Sequence, residues 1–201
     1  MILGDQSKYY KFHSHIYDYS RWSFLFGRKS LLDRSLPDFE PHRILDIGSG
    51  TGYQLKQLYR KFSESKITGI ELSGHMIKKA HKKLQKYPID LIRSDYIDQQ
   101  FKKEGFDMIT ASYSLTMMSD HKRVTKKIHS ELKRNGVLMI VDFYDTPFNS
   151  FRNWMKLNHV SFIPEYFDKD IPETGFKIET KVLRKAYGGL WSYVCLIYRK
   201  I

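Results

Sequence analysis

Short apolar runs alternate with longer stretches in which apolar positions recur every three or four residues, and this alternation carries most of the chain. The runs predict strands at 43–47, 66–71, 89–93, 106–112 and 137–141. The stretches between them predict helices over 53–62, 73–86 and 120–134, with Ser73 and Ser119 as N-caps and Asn135-Gly136 closing the last one. Strand-helix alternation of this kind builds a parallel sheet covered on both faces. A helical stretch over 148–159 follows, then two long strand patterns at 176–184 and 190–198 joined by Tyr187-Gly188-Gly189. So tight a connection favours an antiparallel hairpin. Ahead of the first strand, residues 6–36 are predicted helical and amphipathic, and Pro37 and Pro41 bracket a linker.

The first strand runs into Asp46-Ile47-Gly48-Ser49-Gly50-Thr51-Gly52, and a helix pattern begins at once at Tyr53. Glycine lets a backbone reverse with positive φ and leaves room for a ligand to lie against it. The N-terminus of the next helix adds free N–H donors and a partial positive charge. Three spaced glycines behind an acidic residue therefore predict a ligand-binding corner. The second strand pattern ends in Glu71, where a carboxylate can accept from both hydroxyls of a ribose. The third ends in Asp95, whose carboxylate could receive an adenine amino group while Tyr96 and Met76 flank the ring. Together the three strand ends make a nucleoside site, and the residues alone leave a nicotinamide dinucleotide open as an occupant.

Composition adds bounds. The chain has 201 residues, enough for one domain with a real core. Cys195 is the only cysteine, which excludes an intrachain disulfide and a multi-cysteine metal site. The histidines, among them His13, His15, His129 and His159, lack metal-ligand spacing, so no metal is expected. No apolar stretch approaches the roughly 18 residues of a membrane span, and residues 1–5 lack the basic and apolar regions expected of a signal peptide. A cytoplasmic protein is expected. The formal charge of +12 suits a polyanionic partner, either nucleic acid or an anionic membrane surface.

The combination resembles the class I S-adenosylmethionine-dependent methyltransferases. The glycine stretch matches their first motif, and the resemblance continues through Glu71, Asp95, the Phe106-Asp107-Met108-Ile109 strand and residues 136–141. It implies a Rossmann-like α/β fold, with a seven-stranded, mostly parallel sheet of order 3-2-1-4-5-7-6, an antiparallel last strand and an N-terminal helical cover. The chain would be one domain over 1–201, divided into a cover (1–40), a cofactor-binding core (43–143) and an acceptor-side segment with the hairpin (144–201). The implied cofactor is S-adenosylmethionine, released as S-adenosylhomocysteine. Its site would comprise Asp46, Gly48, Ser49, Gly50 and Gly52 at the methionine end, Glu71 on the ribose, and Leu72, Met76, Asp95, Tyr96 and Ser112 around them.

The flanks resemble a narrower group. Residues 15–28, with Tyr17, Arg21 and Arg28, and residues 112–118, with Ser112 and Tyr113, are similar to bacterial lipid head-group N-methyltransferases, those acting on diacylglycerylhomoserine or phosphatidylethanolamine. That resemblance implies an amino lipid acceptor. The aromatic and basic residues of the N-terminal segment suit peripheral docking on the anionic inner face of a membrane. With Ser112-Tyr113-Ser114-Leu115 in place of a base-methylation motif, an RNA-modifying or nucleic-acid-binding protein is the remoter alternative, and no stable nucleic-acid partner is expected. A soluble small molecule or a quinone ring carbon is the alternative acceptor, since the same core serves it equally well. Methyl transfer needs alignment and desolvation more than strong acid catalysis. Tyr113 at a strand end and Tyr17 on the cover are the catalytic candidates, each also readable as a core aromatic. Arg21 and Arg28 could hold an anionic head group, and His159 could overhang the acceptor pocket; surface solvation or a structural histidine are the plain alternatives.

Overall fold

The computed structural model describes residues 25–33 and 39–201. Most of the expected helical cover, including Tyr17 and Arg21, lies outside the described residues. Within them the chain forms α1 (Arg28–Asp33), β1 (Arg43–Ile47), α2 (Tyr53–Lys61), β2 (Lys66–Glu71), α3 (Gly74–Leu84), β3 (Ile89–Arg93) and β4 (Phe106–Ser112). It continues with α4 (His121–Glu131), β5 (Leu132–Asp145), α5 (Asn149–Leu157), a short α6 (Ile171–Glu173), β6 (Phe176–Ala186) and β7 (Trp191–Lys200).

The seven strands form one sheet of order β3-β2-β1-β4-β5-β7-β6. The first five run parallel, and β7 pairs antiparallel with both β5 and β6. Consecutive strand residues feed opposite layers, which is why the central runs are apolar throughout. Ile44, Met108, Val137 and Met139 pack on one face with Leu55 and Leu58 of α2 and Ala80 and Leu84 of α3. Leu45, Ile109, Leu138 and Ile140 pack on the other with Val124 and Ile128 of α4. The order of connection reverses between β1 and β4, and the carboxyl ends of the strands at such a point open a crevice for ligands.

Two local expectations are corrected. The cap of α4 is Asp120, whose carboxylate accepts from Arg123 N at 3.0 Å, rather than Ser119. That helix ends at Glu131, and Asn135-Gly136 lies inside β5 instead of closing it. The cause is Leu132, fully buried and paired with Phe106, which pulls the chain into the sheet; the register then slips before Met108 pairs with Val137. Asn135 takes the left-handed conformation at that irregularity, with φ 61°.

Candidate active site

The glycine corner sits where β1 leaves the sheet. Gly48 N and Ser49 N both donate to Ile70 O of β2, at 2.9 and 3.0 Å, so the turn is fastened to the neighbouring strand. Gly48, Gly50 and Gly52 have φ of 69°, 54° and 78°, a region that side chains other than glycine rarely occupy. At Gly48 a Cβ would also come within 2.5 Å of Ser114 Cβ. The corner therefore needs glycine for conformation and for space together.

Directly beneath it, the side chain of Asp46 is buried, and Thr110 Oγ1 of β4 donates to its Oδ1 at 2.6 Å. Burial pushes the Asp46 carboxyl up to about 7; the Thr110 hydrogen bond opposes this, the Glu71 charge adds to it and the Arg28 charge opposes it. The other oxygen, Oδ2, has no hydrogen-bond partner. Ser49 Oγ, Ser112 Oγ and both polar atoms of the Gln54 amide are likewise buried and unpartnered. All four side chains line one cavity of about 420 Å³ around the glycine loop, together with Arg28, Tyr53, Met76 and Tyr113. Leaving a buried polar group unsatisfied costs about 1–3 kcal/mol each. So many around one cavity mark the place of a polar ligand, and the donor set fits a zwitterionic amino acid end.

A second cavity of about 600 Å³ continues along the strand ends and shares Gly48, Met76 and Tyr113 with the first. Glu71, Leu72, Asp95, Tyr96, Met117, Arg123 and His159 line it. Glu71 braces the corner: its two oxygens accept from Gly50 N at 2.9 Å and Ser73 N at 2.8 Å. Asp95 is exposed at the rim and turns one oxygen to Ile97 N at 2.9 Å. Tyr96 is buried, and its hydroxyl donates to Glu131 at 2.8 Å, so only its ring is free to flank a ligand.

Tyr113 sits at the junction of the two cavities with φ 54°, packed edge-on to Phe143. Its hydroxyl donates to Phe26 O at 2.8 Å, and burial raises its pKa well above the ordinary phenol value. As placed, it fastens the segment before α1 over the site and stays protonated. Arg28 lines the glycine-loop cavity rather than the second one, with its guanidinium 4.3 Å from the Tyr53 ring centre. His159 is exposed on the rim of the second cavity, also with positive φ.

Three contributors are not among the expected site residues. Gln54 falls on the same helical face as Leu55 and Leu58, and a polar residue in that apolar stripe is the one signal that could have found it. Thr110 is one more β-branched strand residue until its pairing beside Asp46 is known. Asp142, fully buried in β5, accepts from Leu115 N, Thr116 N and Thr116 Oγ1 at 3.0, 3.2 and 2.6 Å. It holds the turn from which Ser114, Met117 and Met118 line the second cavity, and burial pushes its carboxyl up to about 6 against those hydrogen bonds.

Residues 44–136 match the family model of the methyltransferase domain. The chain has the seven-stranded sheet order of the Rossmann-like methyltransferase fold, with a glycine corner after its first strand. Over residues 44–136 the chain is similar to methyltransferase domains. It is 32% identical over 115 residues to the demethylmenaquinone methyltransferase of Thermotoga maritima, covering 57% of this chain and 49% of that one. It is 28% identical over 132 residues to the malonyl-[acyl-carrier protein] O-methyltransferase of Legionella pneumophila, covering 64% of this chain and 46% of that protein. The chain thus spans about half the length of the curated relatives it matches. Among solved structures, a geranyl diphosphate methyltransferase in complex with its diphosphate and sinefungin superposes with a TM-score of 0.74 at 15% identity, over 87% of this chain and 78% of that one.

Glu71→Ala should lower the affinity for S-adenosylhomocysteine about tenfold and cost about 1 kcal/mol of stability, because the carboxylate both faces the second cavity and braces two backbone N–H groups. Calorimetric titration and urea unfolding measure the two effects. Unchanged affinity would overturn a ribose role for Glu71.

Among the described residues no helix is long and apolar enough to cross a membrane, and no group of three or more His, Cys, Asp or Glu could hold a metal ion.

Proposed function

We propose that the methyltransferase domain transfers a methyl group from S-adenosylmethionine to a small organic acceptor, in the first place a ring carbon of a quinone. The observation that carries the cofactor half is the pair of cavities meeting at Gly48, Met76 and Tyr113, one ringed by unpartnered polar atoms and the other by two strand-end carboxylates. When bound, the cofactor supplies an electrophilic methyl carbon on a sulfonium. Asp46 and the glycine loop hold its amino acid end, Glu71 the ribose hydroxyls, and Asp95 with Tyr96 and Met76 the adenine. Tyr113 and Met76 close the junction against water, which favours an in-line displacement by keeping the reacting groups aligned and desolvated. His159, on the rim of the second cavity, takes up a proton that the acceptor loses. The quinone acceptor is supported by the demethylmenaquinone methyltransferase among the relatives.

An amine of a lipid head group is the second reading. It is favoured by the exposed Phe148, Trp154 and Leu157 on and beside α5, next to Lys156 and two residues before His159. Aromatic and basic side chains presented together suit a lipid surface. The purified protein, given methyl-labelled S-adenosylmethionine with demethylated quinone in one vessel and phosphatidylethanolamine vesicles in another, decides between them. Label in the quinone supports the first reading, label in the lipid replaces it with the second, and label in neither removes both acceptors.

A further inference from the structure

The amide of Gln54 is the feature that folding alone does not account for. It is the second residue of α2, 3% exposed, and neither its oxygen nor its nitrogen has a hydrogen-bond partner. The next residues on that face, Leu55 and Leu58, are fully buried in the core. A leucine at position 54 would fill the space without stranding a polar group, so an amide there works against the stability of the empty protein. The side chain lines the glycine-loop cavity with Asp46, Ser49 and Arg28, at the end away from Glu71 and Asp95.

We infer that Gln54 is a specificity residue for the amino acid end of the cofactor, its carbonyl oxygen accepting from the ammonium and its nitrogen donating to the carboxylate. The inference rests on the S-adenosylmethionine reading above. An amino acid end carries both charges on one carbon. A neutral amide, with acceptor and donors on one side chain, meets both, whereas a carboxylate at this position would repel one end and an ammonium the other. Asp46 and Arg28 bring a carboxyl group and a guanidinium to the same cavity, and the amide ties the two ends to one orientation. The site so built takes the nucleoside only together with its amino acid, so nucleosides that lack this end gain nothing from Gln54.

Calorimetric titration of the full chain with two probes tests this: S-adenosylhomocysteine, and 5′-methylthioadenosine, which keeps the nucleoside and sulfur without the amino acid. In Gln54→Leu the dissociation constant for S-adenosylhomocysteine should rise about tenfold, or 1.4 kcal/mol, while that for methylthioadenosine changes by less than about twofold. The melting temperature of this variant should equal or exceed that of the parent. Gln54→Met, of nearly the same shape, should repeat the result and serves if the leucine variant does not fold. Unchanged affinity for S-adenosylhomocysteine, or an equal loss for both probes, overturns the inference and leaves the cofactor reading standing. A parent protein that binds neither probe removes both.

Discussion

Replacing Asp46 by Asn should weaken S-adenosylhomocysteine binding by roughly a hundredfold while raising the melting temperature of the ligand-free protein. Asp46 is fully buried with one oxygen unpartnered, so in the empty protein its charge is poorly compensated. Its carboxyl titrates at about 7 in the folded protein against 3.8 without the fold. The folded state therefore holds the proton more tightly, and stability is lost, not gained, as pH rises through that window. The rise from 3.8 to about 7 corresponds to a cost on the order of 4 kcal/mol, absent below the lower value and complete above the upper one. Asparagine keeps the shape and the Thr110 contact without that cost. The gap in melting temperature between variant and parent should thus open between pH 4 and 7. Asp142, shifted in the same direction, is present in both proteins and cancels in the difference.

Binding behaves oppositely. A ligand ammonium needs the ionised carboxylate, so affinity of the parent should fall as pH drops from about 8 to 6, while the variant stays level over that range. A variant that binds as well as the parent, or a parent with a level profile, would remove Asp46 from the site.

Gly48→Ala is the second large effect, with an expected loss of about 2–4 kcal/mol of stability and of measurable cofactor binding. Part of this is the positive φ of 69°. More comes from Ser114, whose Cβ would lie 2.5 Å from the new methyl and which cannot swing away freely because its hydroxyl donates to Ile47 O at 2.8 Å. Relief could come only by moving the turn out of its two hydrogen bonds to Ile70, into the space where the two cavities meet. Gly188→Ala provides the comparison: its φ is also positive, at 65°, but a Cβ there meets nothing within 4 Å. It should cost no more than about 1 kcal/mol and leave binding intact. Pairing Gly48→Ala with Ser114→Gly should restore part of the loss in urea unfolding. No restoration would show that backbone strain, not the clash, sets the effect.

These two residues also mark how far the sequence could be read. The bounds of β1, β2 and β4 follow from their apolar runs because those strands are buried on both faces and a polar residue marks the point at which burial stops, whereas β3, at the edge of the sheet, is only partly buried. β5 was legible only in its centre. Its first turn competes with the end of α4, and pairing of Leu132 with Phe106, far away in sequence, decides the contest. In the site, Asp46, the glycines and Glu71 announce themselves by spacing, because a backbone that must approach a ligand permits few residue types. Arg28 and Tyr113 were legible as candidates but not in their places, since the sequence does not say what a long side chain will reach across a sheet.

By itself, the sequence determined the alternating strand-and-helix core, the ligand corner after β1 and the carboxylates at the next two strand ends, because burial periodicity and glycine spacing are local properties. Only the tertiary structure decided which polar atoms are left without partners. Gln54, Thr110 and Asp142 acquire their meaning from neighbours that are distant along the chain, or from the lack of any, and hydrogen-bond satisfaction is a property of the assembled fold.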